Sequence, residues 1–394
     1  MTTDVAVAAR LPAVRWAVLG SYALLAACTQ LLWLTFAAVD TRSAAAMHVG
    51  VGLVGDLAAV FPFVYIVLAL PAGRWLDRRF THALGAGALL TGAGALLRLV
   101  APQSFAWQMA GQVVISAGQP LVLNSVNKVA ARYFGPHERA TAISIGTAAL
   151  FVGILAAVLM AGPVFDAGGL RLLLTVQAIP AVVVAAVMVV ALRTPPTFPD
   201  DPSATVSLSW LIHDRFMWLL AALVFIGMGT YNVVATWLQP IMDLFGEGAA
   251  AGGLIAALTF AGVLGAAVLP TAAARAGRRR LVLMSALGTS ALAFVAVAAV
   301  HNVVWIGVWL FGAGFLLLAA LPIVLDWADV HAGAERQGAA VGFLMMAGNL
   351  GGLVLVLLIQ PAIGNAYVAL GALAVIALLG LPVTLRLPAR TEQV

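Results

Sequence analysis

Amide, aromatic and thioether side chains interrupt several long apolar runs of this sequence. Gln30 and Trp33 lie three residues apart and would share one face of a helix. Amide oxygens and aromatic ring faces bind neutral polar groups and quaternary ammonium ions without needing a carboxylate. The candidate binding residues of this kind are Gln30, Trp33, Gln119, Asn124, Tyr231, Asn232, Met346 and Asn349. The alternative is that the amides hydrogen-bond one helix to another and the aromatic rings only pack.

A second chemical feature is the stretch LALPAGRWLDRRF at residues 68–80. Four charges, Arg74, Asp77, Arg78 and Arg79, fall within six residues of a chain that is only 9% charged. A carboxylate at a helix end is stabilised by the positive N-terminus of a neighbouring helix, so Asp77 is a candidate for that contact. Arg78 and Arg79 could pair with Glu138 or with lipid phosphate. The alternative is that these arginines only set the membrane topology.

The elements that position these residues follow from composition. The 394 residues are 63% hydrophobic and their mean hydropathy is +1.07, far above a soluble domain. Apolar runs of about 20 residues are long enough to cross a bilayer, and lipid requires them to be helical. The predicted spans are 16–38, 51–72, 82–101, 105–130, 139–162, 171–192, 216–238, 250–272, 281–300, 303–325, 338–359 and 366–386.

The positive residues predict the orientation. With the N-terminus in the cytoplasm, 17 of the 20 Lys and Arg residues fall at cytoplasmic loops or helix ends, Lys128 among them as a topology charge. Arg42, Arg98 and Arg171 are the exceptions, and Arg98 is expected to snorkel outward from the third span. The prediction is a multi-pass protein of the inner (plasma) membrane with both termini cytoplasmic.

The two halves of the chain resemble each other. PAGRWLDRR at Pro71 has a counterpart, PTAAARAGRRR, 199 residues later at Pro270, and Glu138-Arg139 is matched 197 residues later by Glu335-Arg336. Two matches at nearly one offset indicate a duplicated six-helix unit. The predicted domains are therefore residues 1–192, a cytoplasmic linker at 193–214 that is rich in Pro, Ser, Thr and Asp, and residues 215–394.

The stretch from Gly73 to Arg79 resembles the signature loop between helices 2 and 3 of the major facilitator superfamily. That resemblance implies an all-α fold of twelve helices in two pseudo-symmetric bundles, a small-molecule substrate and transport by alternating access. It also implies a conformational latch formed by Gly73, Asp77, Arg78, Glu138 and Arg139, with Asp77 facing the start of the eleventh helix near Gly338. The second copy has Ala276 where the first has Asp77, so the latch is expected to be asymmetric.

Three further stretches resemble one branch of the superfamily, the feline leukaemia virus subgroup C receptor-related transporters. They are residues 111–142, GMGTYNVVATWLQ at 227–239 and VYIVLALPAGRWLD in the second span. That branch handles choline and ethanolamine, and haem has been proposed. No His falls near the middle of a span, so haem is disfavoured and no cofactor or metal is expected.

The substrate prediction depends on where Asp and Glu residues lie relative to the predicted spans. No Asp or Glu falls at the middle of any span, whereas a proton-driven transporter usually keeps a titratable group in its core. The prediction is facilitated transport of a choline-like quaternary amine or a small neutral polar solute. Asp56, in the outer part of the second span, is the possible proton site. The alternative function is a proton-coupled exporter of hydrophobic or cationic compounds, for which Gly162-Pro163 is a partial motif.

Other functional classes are disfavoured. An embedded enzyme would need paired acids or an H-E-x-x-H motif, and the sequence has neither. A channel would not explain the two half-repeats with a signature loop. The expected partners are the substrate and the lipid bilayer, without nucleic acid, and the protein is expected to be a monomer.

Overall fold

The computed structural model describes residues 14–198, 209–333 and 336–388. Within these ranges the chain is helical and forms no strand. The α-helices are α1 (Val14–Trp33), α2 (Asp40–Met47), α3 (Val51–Val100), α4 (Phe105–Leu123), α5 (Val126–Tyr133), α6 (Pro136–Ala191), α7 (Ser209–His213), α8 (Arg215–Asp243), α9 (Ala251–Arg275), α10 (Arg279–Ala299), α11 (Val303–Ala332), α12 (Gln337–Ile359) and α13 (Ala366–Leu385). Two short 3-10 helices cover Gly248–Ala250 and Gln360–Ala362.

Two of these helices are twice the length of a membrane span and are interrupted. In α3 the backbone of Arg79 leaves the helical region, with φ −145° and ψ 61°. In α6 the break falls at Gly168 and Gly169, and Gly169 has a φ of 66°, which favours glycine. Both breaks lie between predicted spans, so α3 and α6 each hold two.

Nine helices of the described chain are long and apolar enough to cross a membrane. Dividing α3 and α6 at their breaks gives two predicted spans in each, and the 19-residue α4, which is not among the nine, corresponds to the predicted fourth span. The predicted fourth span, 105–130, is divided at Asn124 and Ser125 into α4 and the short α5. The twelve predicted spans therefore each have a helical counterpart.

The chain divides into two compact units. The first unit is Met1–Val206 with Ala332–Gly342, and the second unit is Ser207–His331 with Phe343–Val394. Of the predicted linker, residues 199–208 lie outside the described residues, as does Glu335 of the second Glu-Arg match. The first turns of α12 thus group with the first unit.

Small residues let helices of the first unit approach closely. A Cβ added to Gly94 of α3 would lie 2.7 Å from the carbonyl oxygen of Gly111 in α4, and the reverse distance is also 2.7 Å. Such contacts replace the hydrophobic driving force that lipid does not supply between helices. They place the polar face of α4 against α3 and α1.

Side-chain caps begin two helices of the second unit. Asp214 accepts hydrogen bonds from the backbone N–H groups of Phe216 and Met217 at the start of α8, at 3.0 and 3.1 Å. Asn365 does the same at the start of α13 for Tyr367 and Val368. Each cap satisfies backbone donors that have no partner within their own helix.

Candidate functional site

The amides of Gln30 and Gln119 converge on one residue of α1. Gln119 Nε2 of α4 donates to the carbonyl oxygen of Thr29 at 3.1 Å, and Gln30 Nε2 lies 3.5 Å from Thr29 Oγ1. Both glutamines are buried, and Gln119 Oε1 has no hydrogen-bond partner among the described residues. Two predicted binding residues from different helices are therefore brought together, with one strong acceptor left over.

Trp33 continues this polar and aromatic region along α1. Its indole N–H donates to the carbonyl oxygen of Ala58 at 2.9 Å, and its ring centroid lies 4.5 Å from that of Phe61. Phe61 in turn contacts Tyr65 edge to face. Trp33 is half-buried, so part of its ring remains uncovered by protein.

Asn124 has a different environment from the two glutamines. Tyr65 donates its hydroxyl hydrogen to Asn124 Oδ1 at 2.5 Å, and Asn124 Nδ2 donates to the carbonyl oxygen of Ala69 at 2.8 Å. Both ends of the amide are engaged with the first half of α3. This geometry fits the helix-to-helix alternative better than substrate binding.

The predicted residues of the second unit are described separately. Tyr231 and Thr259 share a hydrogen bond of 3.2 Å between their hydroxyl groups, which joins α8 to α9. Asn232 is half-buried and lies against Gly352 of α12. Asn349 is buried and donates to the carbonyl oxygen of Met345 one turn earlier, while Met346 is half-buried. Of these, Tyr231, Asn232 and Met346 keep surface that protein does not cover.

Asp77 lies at the centre of a buried charged cluster in the first unit. Its carboxylate accepts hydrogen bonds from the N–H groups of Gly338 and Ala339, at 2.8 and 2.9 Å. Lys128 Nζ is 3.3 Å from Asp77 Oδ1, and neither side chain has exposed surface. A Cβ on Gly73 would collide with the backbone of Gly338, so this glycine permits the approach. Gly73 and Asp77 therefore meet the first turn of α12.

The structure adds two contacts around this cluster that the sequence did not predict. Lys128, predicted as a topology charge, is fully buried and paired with Asp77. Glu138 is paired with Arg15, at 2.5 and 3.0 Å, and Arg78 is exposed, so lipid phosphate stays the predicted partner of Arg78. Arg139 donates to the carbonyl oxygens of Phe134 and Ala131 and so holds the turn between α5 and α6.

The second unit contains a buried ion pair that the sequence comparison missed. Arg279 at the start of α10 donates to Asp326 of α11 at 2.7 Å through Nε and 2.5 Å through Nη2. Asp326 lies 198 residues after Lys128 and Arg279 lies 202 residues after Asp77, so the acid precedes the base in the first unit and follows it in the second. At an offset of 199 residues the counterpart of Asp77 is Ala276, three residues before Arg279. Aligning Lys128 with Asp326 would have revealed the inverted pair.

Two other charged residues have contrasting positions. Asp56, the possible proton site, is exposed on the second turn of α3. Arg98 was expected to snorkel outward, but it is fully buried and its Nη1 donates to the carbonyl oxygen of Leu32 and to Thr35 Oγ1, each at 3.0 Å. The carbonyl groups at the end of α1 attract this guanidinium inward, because they have no partner within their helix.

Comparisons with known proteins agree with this architecture. Residues 10–356 match the family profile described as Major Facilitator Superfamily. Solute carrier family 49 member A3 of Danio rerio is 32% identical over 275 residues, which cover 65% of this chain and 58% of that relative's own length. The choline/ethanolamine transporter flvcr2b of Danio rerio is 22% identical over 372 residues, covering 86% of this chain and 76% of the relative.

Solved structures are similar at lower sequence identity. The E. coli fucose:proton symporter FucP has a TM-score of 0.75 and 16% identity, covering 95% of this chain and 98% of that structure. The human organic anion transporter MFSD10 has a TM-score of 0.78 and 13% identity, covering 95% and 100%. At these identities the similarity concerns the fold alone. It confirms the predicted pair of six-helix bundles.

Proposed function

Because the chain belongs to the Major Facilitator Superfamily, whose members are multi-pass membrane transporters, we propose that its substrate is a small quaternary amine of the choline type or a small neutral polar solute. The transport is facilitated and needs no ion gradient. The observation that carries the proposal is that the buried Gln30 and Gln119 both contact Thr29 of α1, one turn before the half-buried Trp33.

The chemistry of these residues suits a permanent cation. The free Oε1 of Gln119 supplies a partial negative charge, and the uncovered part of the Trp33 ring supplies a π face. A primary amine would gain more from a carboxylate, and no carboxylate is among the hydrogen-bond partners that the structure gives Gln30, Gln119 or Trp33. The name of the relative flvcr2b, a choline/ethanolamine transporter, supports the same substrate class.

The test is uptake of labelled choline into proteoliposomes that contain the purified protein. Saturable uptake without a pH or sodium gradient is expected, with the apparent affinity about tenfold lower in Trp33→Ala and in Gln119→Ala. Trp305→Ala is the matched control, since Trp305 is exposed and packs on Trp309 in the second unit. If Trp33→Ala and Trp305→Ala behave alike, the aromatic contact is not part of the site.

The alternative, a proton-coupled exporter of hydrophobic or cationic compounds, rests on Asp56 and on Gly162-Pro163 of α6. Its signature would be transport that accelerates with an imposed pH gradient and loses that response in Asp56→Asn. The exposed position of Asp56 favours the facilitated mechanism.

The same proposal assigns a conformational role to the Asp77 cluster. The hydrogen bonds from Asp77 to the first turn of α12 hold that turn against Gly73, so we expect them to break and re-form during each transport cycle. Asp77→Asn should lower the uptake rate without preventing expression. Unchanged uptake would remove Asp77 from the mechanism.

Arg78, Glu138 and Arg139 belong to the surroundings of this latch. We also propose that the protein is a monomer in the plasma membrane with both termini in the cytoplasm.

A further inference from the structure

Arg98 is the largest fully buried side chain of the described protein, and it lies inside the first unit near the end of α3. Gly111 of α4 makes room for its stem, because a Cβ there would lie 2.6 Å from Arg98 Cγ. One terminal nitrogen, Nη1, is occupied by Leu32 and Thr35 of the segment that ends α1. The ring of Phe36 lies 5.6 Å from Cζ.

The other edge of the guanidinium has no protein partner. Nε and Nη2 are both buried, and neither makes a hydrogen bond to the described residues. These two nitrogens form the parallel N–H pair with which arginine holds an anion in a bidentate manner. A buried donor edge without an acceptor is destabilising, so a ligand of the opposite polarity would bind there favourably.

Gln177 of α6 is linked to Arg98 through Thr35 and carries a further donor. Thr35 Oγ1 accepts from Arg98 and lies within hydrogen-bond distance of both Gln177 Oε1, at 2.6 Å, and the carbonyl oxygen of Leu32, at 2.8 Å. The amide nitrogen of Gln177, Nε2, is buried and has no hydrogen-bond partner in the described protein. Arg98, Thr35 and Gln177 therefore form one connected cluster with three unused donor nitrogens.

Arg98 differs from three other cations of the same unit, because each of those is paired with a carboxylate. Arg15 is paired with Glu138, Arg42 with Asp166 and Lys128 with Asp77. Among the residues that the structure describes, no carboxylate pairs with Arg98. A buried, uncompensated cation is costly, and a bound anion would neutralise it.

A pocket lies at the same end of the first unit. Its volume is about 830 Å³, and Ala101, three residues after Arg98, is one of the residues that line it. Gln108 connects the two, since its Nε2 donates both to the carbonyl oxygen of Arg98 and to that of Pro102 in the pocket wall. Arg171 lines the same pocket and is exposed there.

We propose that the Nε–Nη2 edge of Arg98, with Gln177 Nε2, is a binding site for one small monovalent anion, such as chloride or formate. The anion neutralises Arg98 and fastens α1, α3 and α6 together. The site is separate from the amide and aromatic residues of the proposed substrate site.

The test is the melting temperature of the purified full-length protein at constant ionic strength, with sodium gluconate replaced stepwise by sodium chloride or sodium formate. Gluconate is too large for a buried edge and serves as the reference anion. A saturable rise of about 2 °C or more is expected with the small anions, because they bind only the folded state. Gln177→Ala should raise the half-saturating concentration about tenfold through the loss of one donor to a charge.

Two arginine variants separate the buried site from surface effects. Arg98→Gln should abolish the response to small anions, whereas Arg171→Gln, which removes an exposed cation from the pocket, should keep it. An equal response in Arg98→Gln would overturn the proposal. If Arg98→Gln does not fold, the melting temperatures of the wild type decide the question. Equal melting temperatures in gluconate, chloride and formate would overturn the proposal, because water would then satisfy the Nε–Nη2 edge.

Discussion

A buried carboxylate in a membrane protein needs a donor for each of its oxygen atoms, and Asp77 has three. Gly338 and Ala339 supply backbone N–H groups, and Lys128 supplies the opposite charge. The backbone donors also gain from the positive end of α12. At the scale of single residues, Asp77 therefore acts both as an ion-pair partner and as a helix cap.

Substitution tests the ion-pair role. Asp77→Asn keeps one oxygen that can accept from the start of α12, replaces the second accepting oxygen with an NH2 group and removes the charge that compensates Lys128. We expect a loss of about 3 kcal/mol in the free energy of unfolding, since breaking a buried pair leaves a charge in an apolar region. The double variant Asp77→Asn/Lys128→Met should recover most of that loss. Thermal unfolding in detergent measures both, and a double variant as unstable as the single one would contradict the pairing.

At the scale of helices, the close approach of α3 to the first turn of α12 depends on Gly73. A Cβ at this position would overlap the backbone of Gly338, which cannot move aside as a side chain would. Gly73→Ala is therefore expected to lower both the melting temperature and the uptake rate. Gly55→Ala in the same helix is the matched control, because nothing lies within 4 Å of a Cβ there. That control should be neutral or stabilising by about 0.5–1 kcal/mol.

The start of α8 gives a prediction about pH. Asp214 accepts from two backbone N–H groups and lies 2.7 Å from His331 Nε2. Partial burial raises the pKa of Asp214, but the hydrogen bond from His331 and the backbone N–H groups outweigh this and hold the pKa below its ordinary value. Because the pKa is lower in the folded state, ionised Asp214 stabilises the protein at pH values above its unfolded pKa of about 3.9. This stabilisation is lost as the pH falls through the lower pKa of the folded state.

Asp214→Asn isolates this contribution, because asparagine is also a good helix cap. Above pH 5 the variant should melt below the wild type. The difference should shrink as the pH falls below about 4. Melting curves of both proteins across this range check the prediction, and a constant difference would show that Asp214 does not titrate in this way.

The elements were easier to predict from sequence than the contacts between them. The twelve spans could be predicted from the long apolar runs, because a single segment in lipid satisfies its backbone hydrogen bonds only as a helix. The helix breaks at Arg79 and Gly169 lie between predicted spans, where backbone groups outside the lipid can hydrogen-bond to water. The burial of Arg98 and Lys128 was not predictable, since their positions near span ends are equally compatible with snorkelling. Only the tertiary structure shows that the end of α1 and the carboxylate of Asp77 attract them inward.

At the scale of the whole molecule, each unit contains a buried ion pair, and the two pairs have opposite order along the chain. Asp77 and Lys128 occupy the first unit, and Arg279 and Asp326 occupy the second. In the first unit, Asp77 follows the second predicted span and Lys128 lies in the fourth. In the second unit, Arg279 follows the eighth predicted span and Asp326 lies at the end of the tenth. An exchange of acid and base leaves the net charge of a pair unchanged, so either polarity satisfies the fold. Only the first pair, however, places a carboxylate where it can also cap a helix.

The orientation of the whole molecule is the prediction that depends most directly on its charge distribution. With 17 of 20 Lys and Arg residues on the side of the N-terminus, residue 195 should face the cytoplasm and residue 103 the opposite side. Cys28 is the only cysteine and is buried, so single cysteines introduced at the exposed positions Gln103 and Pro195 report with little background. A membrane-impermeant maleimide should label Gln103→Cys in intact cells and Pro195→Cys only after permeabilisation. The reverse pattern would invert the proposed topology and place the Asp77 cluster on the outer face.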